Sequence, residues 1–274
     1  MALRFAVLGQ PIAHSLSPQI QEAFAQQLGQ HISYEKLEVA PGQLKDTLAR
    51  MHAEGYTGLA LTLPHKVAAV ALAVEVADPA RIAGATNALI RRDAGWRADN
   101  TDGAGLVRDL KDHLKLGIAG KRVLLLGAGG AARGVLKPLL DEKPQQLVVS
   151  SRTPWNVEQL VAEFKGHGPV RASTHIALKG FQFDLVLNAT SAGQQDRMPR
   201  IAAGVLAPGG ACYDLNYGQA HAPFRAWAQS QDAAVVADGL GMLVEQAAEM
   251  AQLWYGRRPQ TAPVLASLRG QHAR

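Results

Sequence analysis

The chain has 274 residues, 47% of them hydrophobic and 5% aromatic, with 27 glycines and a single cysteine, Cys212. That length suits one large or two modest α/β domains, and one cysteine excludes an intrachain disulfide. Lys and Arg number 28 against 23 Asp and Glu, a net charge of +5, but the basic residues are scattered without interleaved aromatics, which argues against a nucleic-acid groove and for a solvated surface that mildly attracts small anions.

The opening MALRFAVLGQPIAHS has too short an apolar run for a signal peptide. Nothing approaches the ~18 apolar residues of a membrane span, so a cytoplasmic protein without membrane partners is expected. RFAVLG (4–9) reads as a buried strand. Ser17 before Pro18 reads as a helix start, a hydroxyl cap followed by proline in the first turn, with Gly29 as the stop. SYEKLEV (33–39) is a second strand, GQLKDTLARMHAEG (42–55) an amphipathic helix, GLALTLP (58–64) a third strand and KVAAVALAVEV (66–76) a further helix. In 85–103, Asp93-Ala94-Gly95 marks a hairpin turn between short strands. TDGAGLVRDLKDHL (101–114) is a helix that Thr101 or Asp102 caps.

KRVLLLGAGGAARGVLKPLL (121–140) opens a second alternating series, with strands expected at 147–151, 183–189, 210–215 and 233–238. Helices are expected at 240–256 and 262–272. Strands alternating with helices predict βαβ units and largely parallel sheets. The pattern divides into two α/β lobes, about 1–102 and 103–237, and the last helices can return to either.

VLLLGAGGAARGVL (123–136) is a strand, a glycine turn and a helix. Gly127, Gly129 and Gly130 remove Cβ atoms where a pyrophosphate must approach the backbone, and the helix start offers free N–H groups. The alternative is a tight structural turn. A dinucleotide fold selective for an unphosphorylated ribose places a carboxylate at the end of the next strand, about 20 residues on. Here that strand ends LVVSSRTP (147–154), with Ser151, Arg152 and Thr153 at its tip and no acid. Arginine and hydroxyls suit a 2′-phosphate, so NADP is expected over NAD.

Ligands of doubly wound sheets bind at the carboxyl ends of the strands. Ser15, Ser17, Thr62, Lys66, Asn87 and the run Asp99 to Asp102 all fall at such ends in the first lobe. Singly, each has a plain role as a cap or a solvated helix start. Together they suggest a site. Reducing a ketone with a nicotinamide needs a proton donor near the carbonyl oxygen, a task open to a lysine positioned by a carboxylate.

These segments carry a resemblance. GQPIAHSLSP (9–18), LTLPHK (61–66), AGATNAL (83–89), DNTDGAGL (99–106), GAGGAARGV (127–135), SRT (151–153), NATSAG (188–193), YDLNY (213–217) and DGLGMLVEQAA (238–248) occur in order. The chain resembles the shikimate dehydrogenase family over essentially its whole length. The resemblance implies NADP-linked interconversion of 3-dehydroshikimate and shikimate. It implies a two-domain α/β fold: an N-terminal α/β substrate-binding domain (1–102 plus 238–274), a Rossmann-type NADP-binding domain (103–237), and a cleft between them. By motif position it assigns Ser15 and Ser17, with Tyr217, to the substrate carboxylate, and Thr62, Asn87, Asp102 and Gln246 to ring hydroxyls. Lys66 and Asp102 are the implied catalytic pair. Gly127, Ala128, Gly129, Gly130 and Ala131, the Ser151 to Thr153 tip, Asn188, Ala189, Thr190, Leu215, Gly239 and Met242 are the implied cofactor contacts. No metal is implied, and the expected assembly is a monomer or homodimer.

Three departures stand out. The family usually reads Asn-Val-Thr where this chain reads Ala60-Leu61-Thr62, so an amide near the substrate is replaced. Ser151 replaces an asparagine, and Asn156 stands where a second basic residue often follows, leaving Arg152 to carry the 2′-phosphate. A paralogue acting on quinate or a related cyclic hydroxy acid is therefore the alternative enzyme. A non-catalytic NADP-binding sensor is the third reading, opposed by the presence of both Lys66 and Asp102.

Overall fold

The structure is a computed structural model and describes residues 2–272. Met1 and residues 273–274, which the expected domain ranges include, lie outside them. In chain order the strands are β1 (Leu3–Gly9), β2 (Ile32–Glu38), β3 (Gly58–Leu61), β4 (Glu75–Val76), β5 (Ala88–Arg92), β6 (Gly95–Asp99), β7 (Arg122–Leu126), β8 (Gln146–Ser151), β9 (Val170–Thr174), β10 (Phe183–Asn188), β11 (Leu206–Asp214) and β12 (Val235–Ala237). The helices are α1 (Ser17–Leu28), α2 (Leu44–Ala53), α3 (Asp78–Ala83), α4 (Asp102–Arg108), α5 (Gly130–Asp141), α6 (Pro154–Phe164), α7 (Ala222–Ser230), α8 (Leu240–Tyr255) and α9 (Ala262–His272). No helix among the described residues is long and apolar enough to cross a membrane.

The chain forms two compact units. One runs to Gly105 and resumes at Leu243; the other is Leu106–Met242. The chain thus passes between units a few residues beyond the expected 102 and 237.

The first unit holds a mixed sheet in the order β2-β1-β3-β5-β6-β4. β1 pairs in parallel with β2 and β3, while β5 is antiparallel to both β3 and β6. Successive strand residues point to opposite faces. Ala6, Leu8, Leu59, Leu61 and Leu89 therefore pack with Leu48 and Met51 of α2 on one face. Phe5, Val7, Ala60, Ala88 and Ile90 pack with Met250 and Trp254 of α8 on the other. Burial on both faces explains why β3 and the stretch of β1 from Phe5 onward read as unbroken apolar runs.

The second unit holds an all-parallel sheet in the order β12-β11-β10-β7-β8-β9. This is the doubly wound order, with its reversal between β7 and β10. Leu124, Leu126, Val148 and Val186 are among the buried residues of one core cluster.

Three expectations require correction. Residues 66–76 are not an α-helix: one 3₁₀ segment spans Ala68–Leu72, and the chain then turns extended into β4. β-Branched Val67, Val70 and Val74 lose side-chain freedom in a helix. The segment also finds strand partners instead, Val74 N–H donating to Trp96 O at 2.9 Å and Val76 pairing with Ala98. Ser17 does not cap α1. It is the first helical residue, and its own N–H donates to Ser15 Oγ at 3.3 Å. At α4, the Asp102 N–H donates to Asn100 Oδ1 at 3.0 Å, so a residue outside the expected Thr101/Asp102 choice serves the helix start. Helices α3, α6 and α7 and strand β9 had no sequence-level assignment.

Candidate active site

LTLPHK begins in β3 and leaves it. Leu59 and Leu61 enter the core beside α2, and Ala60 enters the opposite cluster. Thr62 follows the strand, its N–H donating to Leu8 O at 3.0 Å and its carbonyl accepting from the His65 N–H at 2.9 Å. The Thr62 methyl lies over Gly9, where any Cβ would collide with it. His65 is buried and its Nε2 lies 2.8 Å from Val39 O, tying the loop to the end of β2. Burial holds its pKa below the ordinary value. The Lys66 carbonyl accepts from the Thr86 N–H at 2.7 Å.

The structure brings Lys66, Asn87, Asp102 and Gln246 into one polar group, drawn from four separate chain segments. Lys66 Nζ donates to Asp102 Oδ2 at 2.6 Å, with the lysine side chain 15% and the aspartate 4% exposed. Asn87 Nδ2 lies 2.8 Å from Asp102 Oδ1, 2.9 Å from Thr101 Oγ1 and 3.0 Å from Gln246 Oε1. Its Oδ1 accepts from the Thr101 N–H at 2.9 Å. Gln246 projects from α8, and its backbone carbonyl accepts from the Thr101 hydroxyl at 3.0 Å. Asn100 Nδ2 donates to Ala85 O at 2.8 Å. Asn87, Asn100, Thr101, Asp102 and Gln246 are all buried. In such surroundings each polar group needs a partner, so the network fixes every rotamer that surrounds the ammonium.

Ser15 and Ser17 sit half-buried at the start of α1, their hydroxyls 3.2 Å apart. Thr62 is half-buried too, and its hydroxyl has no hydrogen-bond partner among the described residues. Ala60 is 5% exposed among Val7, Ala88 and Met250. The amide expected there would enter a largely apolar cluster, which also holds Tyr34 and Tyr255, whose buried hydroxyls have no hydrogen-bond partner among the described residues.

In the second unit the glycine turn lies at the sheet's reversal point. Gly127 has φ +110°, and a Cβ there would stand 3.0 Å from Ala189 O and 3.3 Å from Thr190 N. The positive φ and the close approach of the β10 loop leave room only for glycine. Gly129 precedes α5, which starts at Gly130; Ala128 and Ala131 flank the turn half-buried. At the tip of β8, Arg152 and Thr153 are exposed, and the Thr153 N–H donates to Ser151 Oγ at 3.2 Å. Asn156 is exposed on α6. A turn that admits no Cβ at Gly127, and a cationic strand tip without a carboxylate, fit a dinucleotide whose ribose carries a phosphate.

A second buried network shapes this edge. Asp214 Oδ1 accepts from Asn188 Nδ2 at 3.0 Å, Asn216 Nδ2 at 2.8 Å and the Asn216 N–H at 3.0 Å; its Oδ2 lies 3.2 Å from His221 Nδ1. Burial pushes the Asp214 pKa up, and the His221 and Asn216 hydrogen bonds oppose that push. Asn188 Oδ1 in turn accepts from the Thr190 hydroxyl at 2.7 Å and N–H at 3.1 Å. The Leu215 N–H donates to Asn188 O at 2.9 Å, and the Gly239 N–H to Asn216 O at 2.9 Å. Tyr217 is half-buried before the turn Gly218–His221. Met242 N–H donates to the hydroxyl of buried Tyr213 at 3.3 Å, and that hydroxyl donates to Asp109 Oδ2 at 2.6 Å. Sequence reasoning placed Tyr213 and Asp214 in the YDLNY motif but gave neither a role. Their signal was available: a carboxylate at the end of the otherwise apolar strand GACYD must be buried with partners. Among the described residues no group of three or more His, Cys, Asp or Glu could hold a metal ion.

Two family models match: the shikimate dehydrogenase substrate binding domain over residues 7–89, and shikimate / quinate 5-dehydrogenase over residues 109–196. A shikimate dehydrogenase (NADP(+)) of Methylococcus capsulatus is 47% identical, over 98% of this chain and 96% of its own length. Among solved structures, an Ael1 enzyme from Pseudomonas putida is 40% identical with a TM-score of 0.88, covering 97% of this chain and 98% of its own. A shikimate 5-dehydrogenase from Thermus thermophilus, solved with NADP(H) and shikimate, is 31% identical with a TM-score of 0.83 over 97% and 98%. With identity of this order along almost the full length, two matched domain models and the motifs in their expected order, the chain belongs to the shikimate dehydrogenase family.

Proposed function

We propose that this chain is an NADP-dependent oxidoreductase that interconverts 3-dehydroshikimate and shikimate. The observation that carries the reading is the 2.6 Å Lys66–Asp102 pair, mostly buried and held by Asn87. The relative from Methylococcus capsulatus bears the same activity in its name, and the Thermus thermophilus structure was solved with both ligands.

The bound nicotinamide supplies the hydride donor or acceptor. Lys66 gives a proton to the ring oxygen as the ketone is reduced, and takes one back in the reverse direction. Asp102 holds the ammonium in place through Oδ2, while Asn87 fixes Oδ1. Ser15 and Ser17, with Tyr217, bind the substrate carboxylate. Thr62, Asn87, Asp102 and Gln246 orient the ring hydroxyls. Gly127, Ala128, Gly129, Gly130 and Ala131 take the pyrophosphate against free backbone N–H groups. Ser151, Arg152 and Thr153 take the 2′-phosphate, and Asn188, Ala189, Thr190, Leu215, Gly239 and Met242 line the rest of the cofactor. In this reading the chain acts on small molecules in the cytoplasm, as a monomer or homodimer, without nucleic-acid or membrane partners.

Ala60 is the one residue that favours quinate or another cyclic hydroxy acid, and its apolar surroundings weaken that case. The test is a panel of shikimate, quinate and related acids, each with NADP⁺ and NAD⁺. Turnover of shikimate with NADP⁺ is expected to lead. Turnover of quinate without shikimate would overturn the assignment.

A further inference from the structure

Strands β8 and β9 run in parallel with Ser150 beside Ser173 and Ser151 beside Thr174. One residue further along each strand stand Arg152 and His175, so the two leave the sheet as neighbours. His175 is 5% exposed. Its Nδ1 lies 2.9 Å from the hydroxyl of Ser150, which is fully buried. This bond sets the ring, and Nε2 has no hydrogen-bond partner among the described residues. Burial first, and the Arg152 cation second, hold the His175 pKa below its ordinary value.

The charged groups around it are few. α6, which packs on β9, carries Glu158 and Glu163, and Glu163 is taken by Arg133. β9 itself carries Arg171, and Lys179 follows the turn Ile176–Leu178. Arg152 is the charged group that acts on the imidazole. The ring is buried beside a guanidinium, and among the described residues no carboxylate acts on it to offset that cation, so its basicity gains nothing for folding. An anion bound between them would reverse that balance.

We propose that His175 is a second recognition group for the 2′-phosphate of the dinucleotide, sharing the anion with Arg152 and supplying the basic partner that Asn156 does not. The inference rests on the NADP reading given above. It has a consequence for protons. In the free protein the ring favours the neutral form, and a phosphate beside it favours the imidazolium. Binding of NADP⁺ therefore takes up a proton, and its affinity rises as pH falls. NAD⁺ lacks the phosphate and shows neither effect.

The experiment is calorimetric titration of the whole protein with NADP⁺ and with NAD⁺, without substrate, from about pH 8 down to about pH 6.5, the range in which a histidine titrates. Two buffers of different ionisation heat report proton uptake. The variants are His175→Asn, whose amide can still meet Ser150 but cannot ionise, and His175→Gln. Wild-type protein should gain NADP⁺ affinity and take up protons across this range. Both variants should bind NADP⁺ roughly 3–10-fold more weakly at the acid end, as expected for one lost charge-assisted hydrogen bond. They should lose most of the proton uptake, leaving the phosphate's own, and bind NAD⁺ as before. Variants that keep the wild-type proton uptake and pH dependence, or lose affinity for both dinucleotides equally, would overturn the proposal. Wild-type protein with no preference for NADP⁺ over NAD⁺ would instead overturn the cofactor reading beneath it.

Discussion

Replacing Lys66 by methionine removes the ammonium and keeps the stem. Asp102 then loses its 2.6 Å partner on Oδ2 while Oδ1 keeps the Asn87 amide. Breaking a fully buried ion pair costs about 3–5 kcal/mol. Lys66 is 15% exposed and half of the carboxylate stays satisfied, so the loss should sit nearer the ~1.5–3 kcal/mol of a single hydrogen bond to a charged group. The chemical step should suffer separately. Loss of a general acid slows turnover by ~10²–10⁴-fold, or ~2.7–5.4 kcal/mol in the barrier. Urea unfolding gives the first quantity, and steady-state nicotinamide absorbance with shikimate and NADP⁺ gives the second. The KM for shikimate should change little, because the lost interaction belongs to the transition state. A large rise in KM at unchanged kcat would show that Lys66 only binds, and the proton-transfer role would be wrong.

Arg152→Ala should weaken NADP⁺ binding and barely touch NAD⁺; equal losses in a binding titration would remove its phosphate role. Tyr213→Phe withdraws the phenol from Asp109 and from the Met242 N–H, which should cost ~1–3 kcal/mol in urea unfolding, and an unchanged midpoint would refute that. His65 is held below its ordinary 6.5 by burial, so the unfolded chain takes up a proton before the native one does. Its contribution to stability is therefore complete above about pH 6.5 and is lost as pH falls from there toward the lower folded value. His65→Gln should flatten that part of the stability profile relative to wild type, and parallel profiles would count against the assignment.

The motifs of the candidate site were legible because they depend on local chain properties. A glycine turn between an apolar strand and a helix announces itself, as does a strand tip that reads Ser-Arg-Thr where a carboxylate would hold a free ribose. The Gly29 stop, with φ +68°, follows from backbone sterics alone. The failures have equally physical causes. The run from Val67 to Val76 has helical spacing, but its conformation is set by a strand further along the chain, β6, where Val74 meets Trp96 and Val76 meets Ala98. Ser17 looked like a cap because capping is read from residue type, while the hydrogen bond depends on which of two serines faces the free N–H.

Chain order and residue type were enough to name Lys66, Asn87, Asp102 and Gln246 as one candidate set through family likeness. They could not say that Asn87 would bridge Asp102, Thr101 and Gln246, since these contacts join positions up to 159 residues apart. Nor could they place Ala60 against Met250 and Trp254, or His175 beside Arg152. Periodicity reports which face of an element is apolar. It carries no information about which other element will lie against that face, and that pairing arises only when the sheets assemble and their cores close.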